Sequence, residues 1–168
     1  MNNGLLILGA GQYASVAYEI AESMQCFDKI DFLDDKENVK SIGTFADVEK
    51  LVSKYKNAIV AVGNAEYRYY WIDKLIEIGY NVPVLIHSTA CVSSSAVLGV
   101  GTIIEPAAVL QANSSVGQGS LICSGAVLKH NSSVGNYCYV DCNATIMPEA
   151  SVPSNTRVNA NTVFYFTN

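Results

Sequence analysis

Two groups of residues in this chain have types and spacing suited to chemistry. The first is a glycine turn, Gly9-Ala10-Gly11-Gln12-Tyr13-Ala14, which fits G-x-G-x-x-A. It follows the apolar run Leu5–Leu8 and opens a helical pattern. In that context glycines let the backbone approach a phosphate, and the helix N–H groups face the anion. Asp34 stands 20 residues beyond Ala14, at the end of a second apolar run, with Asp35 next to it. A carboxylate there can hold a ribose hydroxyl. A second turn, Gly63-Asn64-Ala65-Glu66-Tyr67-Arg68, is expected at the same sheet edge. Arg68 there either reaches a phosphate or is a solvated first-turn residue. Glycine-rich turns also exist for tight packing alone, so both readings of the first turn stay open.

The second group centres on His130, one of two histidines in the chain. A neutral imidazole can take a proton from an amine or hydroxyl as that atom attacks an electrophile. The other, His87, sits in LIHSTA, where a hydrogen-bonding structural role is expected. Two histidines cannot supply a three-histidine metal site. The five cysteines (Cys26, Cys91, Cys123, Cys138, Cys142) are odd in number and scattered, and read as reduced and cytoplasmic.

Different elements must position these two groups. From Val92 to Phe164 every sixth residue is apolar, thirteen in a row, and a small residue follows four places later. Neither a helix period of 3.6 nor a strand period of 2 gives this. A hexapeptide repeat does, and it signals a left-handed parallel β-helix with three hexads per triangular coil. His130 follows the interior Leu128 by two, which places it at a coil corner. Its neighbours one coil away are Ala112 and Pro148. Cys138 falls on a small-residue position and reads as filler. The rings of Phe164, Tyr165 and Phe166 are placed to plug the end of the prism.

Residues 1–87 follow another grammar. Strands at Leu5–Leu8, Ile30–Leu33, Ala58–Val62 and Val82–Ile86 alternate with helices at Tyr13–Met24, Phe45–Tyr55 and Ala65–Ile78, with Gly79 as a C-cap. This predicts a small Rossmann-like parallel α/β domain over 1–87, followed by the β-helix over 88–168.

Composition limits the partners. Half of the 168 residues are hydrophobic, and the net charge of −5 argues against nucleic acid or an anionic membrane. No apolar run reaches the length of a spanning helix, and the start MNNGLLILGAG has no basic n-region. From Ser88 onward there are five charged side chains, Glu105, Lys129, Asp141, Glu149 and Arg157, against twenty before it. Large uncharged faces mark interfaces, so packing around a threefold axis is expected.

The order ILGAGQYAxxAYEIAE, FLDD, VGNAEYR and LIHSTACVSSSAVLG, then hexads, resembles the NeuD/PglD-like sugar acyltransferases. These include sialic-acid O-acetyltransferases and N-acetyltransferases of nucleotide-linked 4-amino sugars. The resemblance implies an N-terminal domain that takes the nucleotide sugar or sialic acid through Gly9, Gly11, Gln12, Tyr13, Asp34, Asp35, Gly63, Asn64 and Arg68. It implies a homotrimer that binds acetyl-CoA, as co-substrate and without a metal, between subunits. The cofactor-side positions fall on Cys123, Tyr139, Asn159 and Ala160. The family's base lies in a V-x-x-H-x-x-x-I-G context, here Val127 to Gly135, so that role falls on His130.

Several positions depart from the family pattern. Asn131 stands for the acid after the base, Tyr139 for a second histidine, Cys123 for an asparagine and Pro148 for a glycine whose N–H can face the thioester oxygen. Asn159 and Asn161 replace glycines of a VGAGAVV loop, which suits left-handed positions. Lys129 and Arg157 are the basic residues of the β-helix placed to meet CoA phosphates. The repeat looks about one coil short and lacks a G-x-P-A tail. The expected function is acetyl transfer from acetyl-CoA to a sugar amine or hydroxyl, in surface-glycan biosynthesis in the cytoplasm. The alternative is a non-catalytic nucleotide-sugar-binding trimer. A dinucleotide-dependent oxidoreductase rests on the glycine turn alone.

Overall fold

A computed structural model describes residues 3–36 and 40–165. The chain divides into two compact units, Met1–Pro83 and Val84–Asn168.

In the first unit β1 (Leu5–Leu8) is fully buried and pairs in parallel with β2 (Ile30–Leu33) and β3 (Asn57–Val60), giving the order β2-β1-β3. A central strand buried on both faces is expected to read as an unbroken apolar run, which is what LLIL does. Helix α1 (Gln12–Ser23) buries Ala14, Ala17, Ile20 and Ala21, the spacing of one helix face. The segment expected as a helix from Phe45 to Tyr55 is shorter. A capping box between Thr44 and Asp47 opens a 3-10 turn (Phe45–Asp47), then one helical turn, α2 (Val48–Leu51), before the chain turns into β3. Helix α3 (Ala65–Ile78) ends on Gly79 at φ 103, the left-handed cap that glycine adopts freely. Val82–Ile86 does not add a fourth strand. The sheet closes with one bridge between Asn57 and Asn81, and Leu85–Ile86 pairs instead with Ile103–Ile104.

That pairing belongs to the second unit, a left-handed parallel β-helix. It consists, among the described residues, of fourteen two-residue strands, β4 (Leu85–Ile86) to β17 (Val163–Phe164), in three parallel sheets. Ile86 lies six residues before Val92, so the rhythm begins one hexad earlier than the sequence reading placed it. The second residue of each strand fills the interior, as Ile104, Leu110, Val116, Ile122, Leu128 and Val134 show. The residue directly before each small residue closes the corner. From Gly101 to Asn161 one residue in every six has φ between 56 and 70. Glycine, which has no Cβ, or asparagine, whose short amide can hydrogen-bond locally, fills most of these places.

The small residues also bond the turns. Ser114 and Ser132 hydroxyls donate to the Gln111 and Lys129 carbonyls at 2.7 and 2.6 Å. Cys138, fully buried, donates its thiol to the Pro153 carbonyl at 3.1 Å, in keeping with filler. Of the expected aromatic plug, Phe164 packs on the core while Tyr165 is 62% exposed. Phe166 lies outside the described residues.

Candidate functional site

Chemistry-bearing residues gather in each unit separately. In the first, the C-terminal ends of β1 and β3 and the start of α1 surround a cavity of about 420 Å³. Gly9 sits at φ 112, where a Cβ would meet the Ala61 carbonyl oxygen at 3.0 Å. Its hydrogen serves a tight turn. Gly11 is different: it caps α1 in extended conformation, and a Cβ there meets nothing within 4 Å. Helix α1 has no side-chain N-cap bond and no acid in its first turn. The bare positive end of a 12-residue helix therefore faces the cavity beside Gly11, Gln12 and Tyr13.

The start of α3 contrasts with this. Asn64 Oδ1 accepts from the Tyr67 N–H at 3.0 Å, and Glu66 stands in the first turn. Arg68 is 1% exposed, and its Nη1 donates to the carbonyls of Val62 and Gly63 at 3.1 and 2.8 Å. Gly63 lines the cavity, but Asn64 and Arg68 hold the backbone behind it. Neither the phosphate-reaching nor the solvated position expected for Arg68 describes where it is.

Asp34 likewise serves the turn. Its Oδ2 accepts from the Ala10 N–H at 2.7 Å and its Oδ1 from the Lys36 N–H at 2.8 Å. The carboxylate that lines the cavity thus also bolts the glycine turn to the end of β2. Asp35 lines the cavity too, with Oδ1 accepting from the Phe45 N–H at 2.9 Å. Lys36, Phe45, Ala61, Val62 and Tyr67 complete the wall and were not among the expected residues. Tyr67 was legible, since it lies in the VGNAEYR motif. Phe45 was read as the start of a helix, and nothing in its neighbours marked it as cavity wall.

In the second unit, His130 and Asn131 are the two turn residues after β11 (Val127–Leu128), and both are exposed. The His130 N–H donates to Gln111 Oε1 at 3.1 Å, and Asn131 Nδ2 lies 3.5 Å from His130 Nδ1. The register places Ala112 and Pro148 one coil to either side. His87 has a local role, its Nδ1 3.1 Å from the Thr89 N–H and 2.8 Å from Thr89 Oγ1.

The cofactor-side residues occupy another sheet. Cys123 follows β10 (Leu121–Ile122), Tyr139 opens β13 (Tyr139–Val140), and Asn159-Ala160 follow β16 (Arg157–Val158); these three strands are neighbours. Cys123 is buried, which pushes its thiol well above the ordinary range. Burial raises the Tyr139 phenol as well. Arg157 lies over the Tyr139 ring at 4.4 Å and pairs with Asp141. Burial works to raise the Asp141 carboxyl, but the Cys142 N–H and the Arg157 guanidinium hold it below the usual range. Glu105 Oε2 accepts from the Ser124 N–H and hydroxyl, both at 3.0 Å. Asn159 and Ala160 are exposed, and Asn161 is left-handed at φ 56; Asn159 is not among the left-handed residues. Tyr139 and Cys123 therefore share one face, and His130 occupies a corner between the other two sheets. One chain does not bring them together.

No group of three or more histidine, cysteine or acidic side chains suited to a metal occurs among the described residues. No disulfide joins the five cysteines. No described helix is long and apolar enough to cross a membrane.

The PglD N-terminal domain family model matches residues 4–75. The acetyltransferase domain of PglB from Neisseria gonorrhoeae FA1090 superposes with a TM-score of 0.87 at 26% identity, covering 97% of this chain and 91% of that one. The same domain in complex with acetyl coenzyme A gives 0.73 at 25% identity, with 98% and 94% covered. PerB from Caulobacter crescentus, in complex with CoA and GDP-perosamine, gives 0.79 at 21% identity, with 98% and 92% covered, a likeness of fold. No curated protein sequence matches the chain significantly.

Proposed function

We propose that this PglD/NeuD-like chain transfers acetyl from acetyl-CoA to an amine or hydroxyl of a nucleotide-linked amino sugar or a sialic acid. The setting is surface-glycan biosynthesis in the cytoplasm. The observation that carries this reading is His130, an exposed imidazole on a turn of an acetyltransferase-type β-helix. The first unit takes the acceptor. Its nucleotide phosphates lie at the uncapped start of α1, where Gly11 presents no side chain, and Phe45, Tyr13 and Tyr67 supply apolar wall for the base.

His130 then takes a proton from the attacking nitrogen or oxygen as that atom bonds to the thioester carbonyl carbon. The C–S bond breaks, and the proton passes to the departing CoA sulfur. Tyr139, Asn159 and Ala160 form the donor side, with Cys123 at the end of the neighbouring strand. That turn is uncharged and exposed, which fits a pantetheine arm better than a diphosphate. Arg157, already paired with Asp141, is a weak candidate for the CoA phosphates. Because His130 and Tyr139 lie on different faces of one prism, a complete site needs a second copy. A homotrimer supplies it, and the charge-poor faces suit that assembly.

The alternative is a binding module that kept the scaffold without transfer. Pro148 favours it, since one coil from the base it has no N–H for an oxyanion. Mass spectrometry decides between them. Incubation with acetyl-CoA and nucleotide-linked 4-amino sugars or sialic acid should add one acetyl group to one acceptor. Binding of the nucleotide sugar with no transfer to any acceptor tested would establish the module.

A further inference from the structure

We infer that the side chains of Asn113 and Asn131 form a positioning pair that sets which nitrogen of His130 carries the proton. The inference rests on the reading of His130 as the base. At this corner of the prism the second turn residues recur 18 apart, so Asn113, Asn131 and Glu149 form a column, with φ of 58, 58 and 62. Within it Asn113 Nδ2 donates to Asn131 Oδ1 at 3.2 Å. The other end of the Asn131 amide, Nδ2, lies 3.5 Å from His130 Nδ1. Gln111, from the same turn as Asn113, takes the His130 N–H and fixes the backbone beneath the ring.

A primary amide has one acceptor end and one donor end, and a neutral imidazole has one of each as well. The three side chains therefore have two self-consistent arrangements. In the arrangement seen, an amide nitrogen faces Nδ1, so Nδ1 accepts and the proton sits on Nε2. Nε2 is then a donor and takes no proton from a nucleophile. In the second arrangement both amides are turned over together. Asn131 Nδ2 donates to Asn113 Oδ1, and Asn131 Oδ1 accepts from Nδ1–H. Nε2 then carries the lone pair and acts as base. An ionised carboxylate at position 131 has no donor end and permits the second arrangement alone. Asn131 thus replaces a fixed orienter with a reversible one, and Asn113 is its other half.

The test is the imidazole tautomer of the full-length protein, read by ¹⁵N NMR above the titration range of the ring, together with kcat. Asn113→Asp and Asn113→Gly are each made with Asn131 intact and with Asn131→Gly. All of these residues tolerate left-handed backbone, so the turn is retained. The charged residues of the same corner, Lys129 and Glu149, stay in place throughout. An aspartate at 113 only accepts, so it captures Asn131 Nδ2 and turns Oδ1 to the ring. The expected result is a shift toward the Nδ1–H tautomer and a kcat about tenfold above Asn113→Gly, a part of the roughly 10⁴-fold that a wrong tautomer costs a serine-protease triad. With Asn131→Gly the two variants should share one tautomer population and agree in kcat within about twofold. An equal response to Asn113→Asp in both backgrounds would mean direct charge rather than relay, and overturns the inference; so does a tautomer that responds in neither. Failure of the underlying reading looks different. The tautomer then moves as expected, which upholds the pair, while no variant and no wild-type sample transfers acetyl.

Discussion

The two units of this chain differ in how much of their backbone depends on polar side chains. In the α/β unit, residues that look reactive in sequence are largely consumed by the backbone: Asp34 holds Ala10 and Lys36, Asn64 caps α3, and Arg68 holds Val62 and Gly63. In the β-helix the repeat itself satisfies the backbone, coil upon coil, through regular parallel pairing. Small polar side chains and Gln111 still tie its turns, but the His130 ring takes no part in this and stands exposed on its turn. A motif in an irregular fold therefore needs its hydrogen-bond partners counted before it is given a function. A deviation in a regular fold can be given one more directly.

The contrast is testable in stability and binding, and the largest effect belongs to the repeat. Leu128 is fully buried in the prism interior beneath the His130 turn. Leu128→Ala should cost about 2–5 kcal/mol in denaturant unfolding, because the coils on either side leave little room to collapse. A cost well under 1 kcal/mol would show that the interior is loosely packed and the repeat permissive. The glycine turn gives a split of intermediate size. Gly9→Ala places a Cβ against the Ala61 carbonyl at a φ of 112, and should cost about 1–3 kcal/mol of stability. At Gly11 an added Cβ meets no protein atom within 4 Å. Gly11→Val should cost no more than the roughly 1 kcal/mol of a poorer N-cap residue, while removing nucleotide-sugar binding measured by calorimetry. If Gly11→Val binds normally, the turn is a packing device and the contrast between units deepens.

The smallest expected effect is at acid pH. Asp141 titrates below its unfolded value of about 3.9. A carboxyl lowered on folding contributes stability that is complete above the unfolded pKa and is lost as pH falls through the folded one. Asp141→Asn should therefore flatten the stability-versus-pH curve below about pH 4, and change it little near neutrality beyond a constant offset. An unchanged acid limb would mean that the Arg157–Asp141 pair, half exposed as it is, contributes nothing measurable.

The β-helix was legible in the sequence because its rule is periodic: one residue type every six places survives individual exceptions such as Tyr137 at a left-handed position. Its start was not. Val82–Ile86 reads as a β-branched strand in either unit, and only the phase of Ile86 with Val92 distinguishes them. In the α/β unit the order of strands and helices was legible, but the fate of side chains was not. Whether Arg68 meets a phosphate or a carbonyl depends on where two turns lie in space. Asn64, by contrast, stands just before a helix with a donor three residues on, and its capping role was there to be read.

The most direct test of the account is acetyl transfer by His130→Ala, with both ligands' binding measured on the same protein. If the imidazole only removes the proton of the attacking group, turnover falls by about 10²–10⁴-fold while the affinities for acetyl-CoA and the nucleotide sugar are retained. Wild-type turnover in His130→Ala would contradict the assignment of the base, and with it the division of labour drawn between the two units.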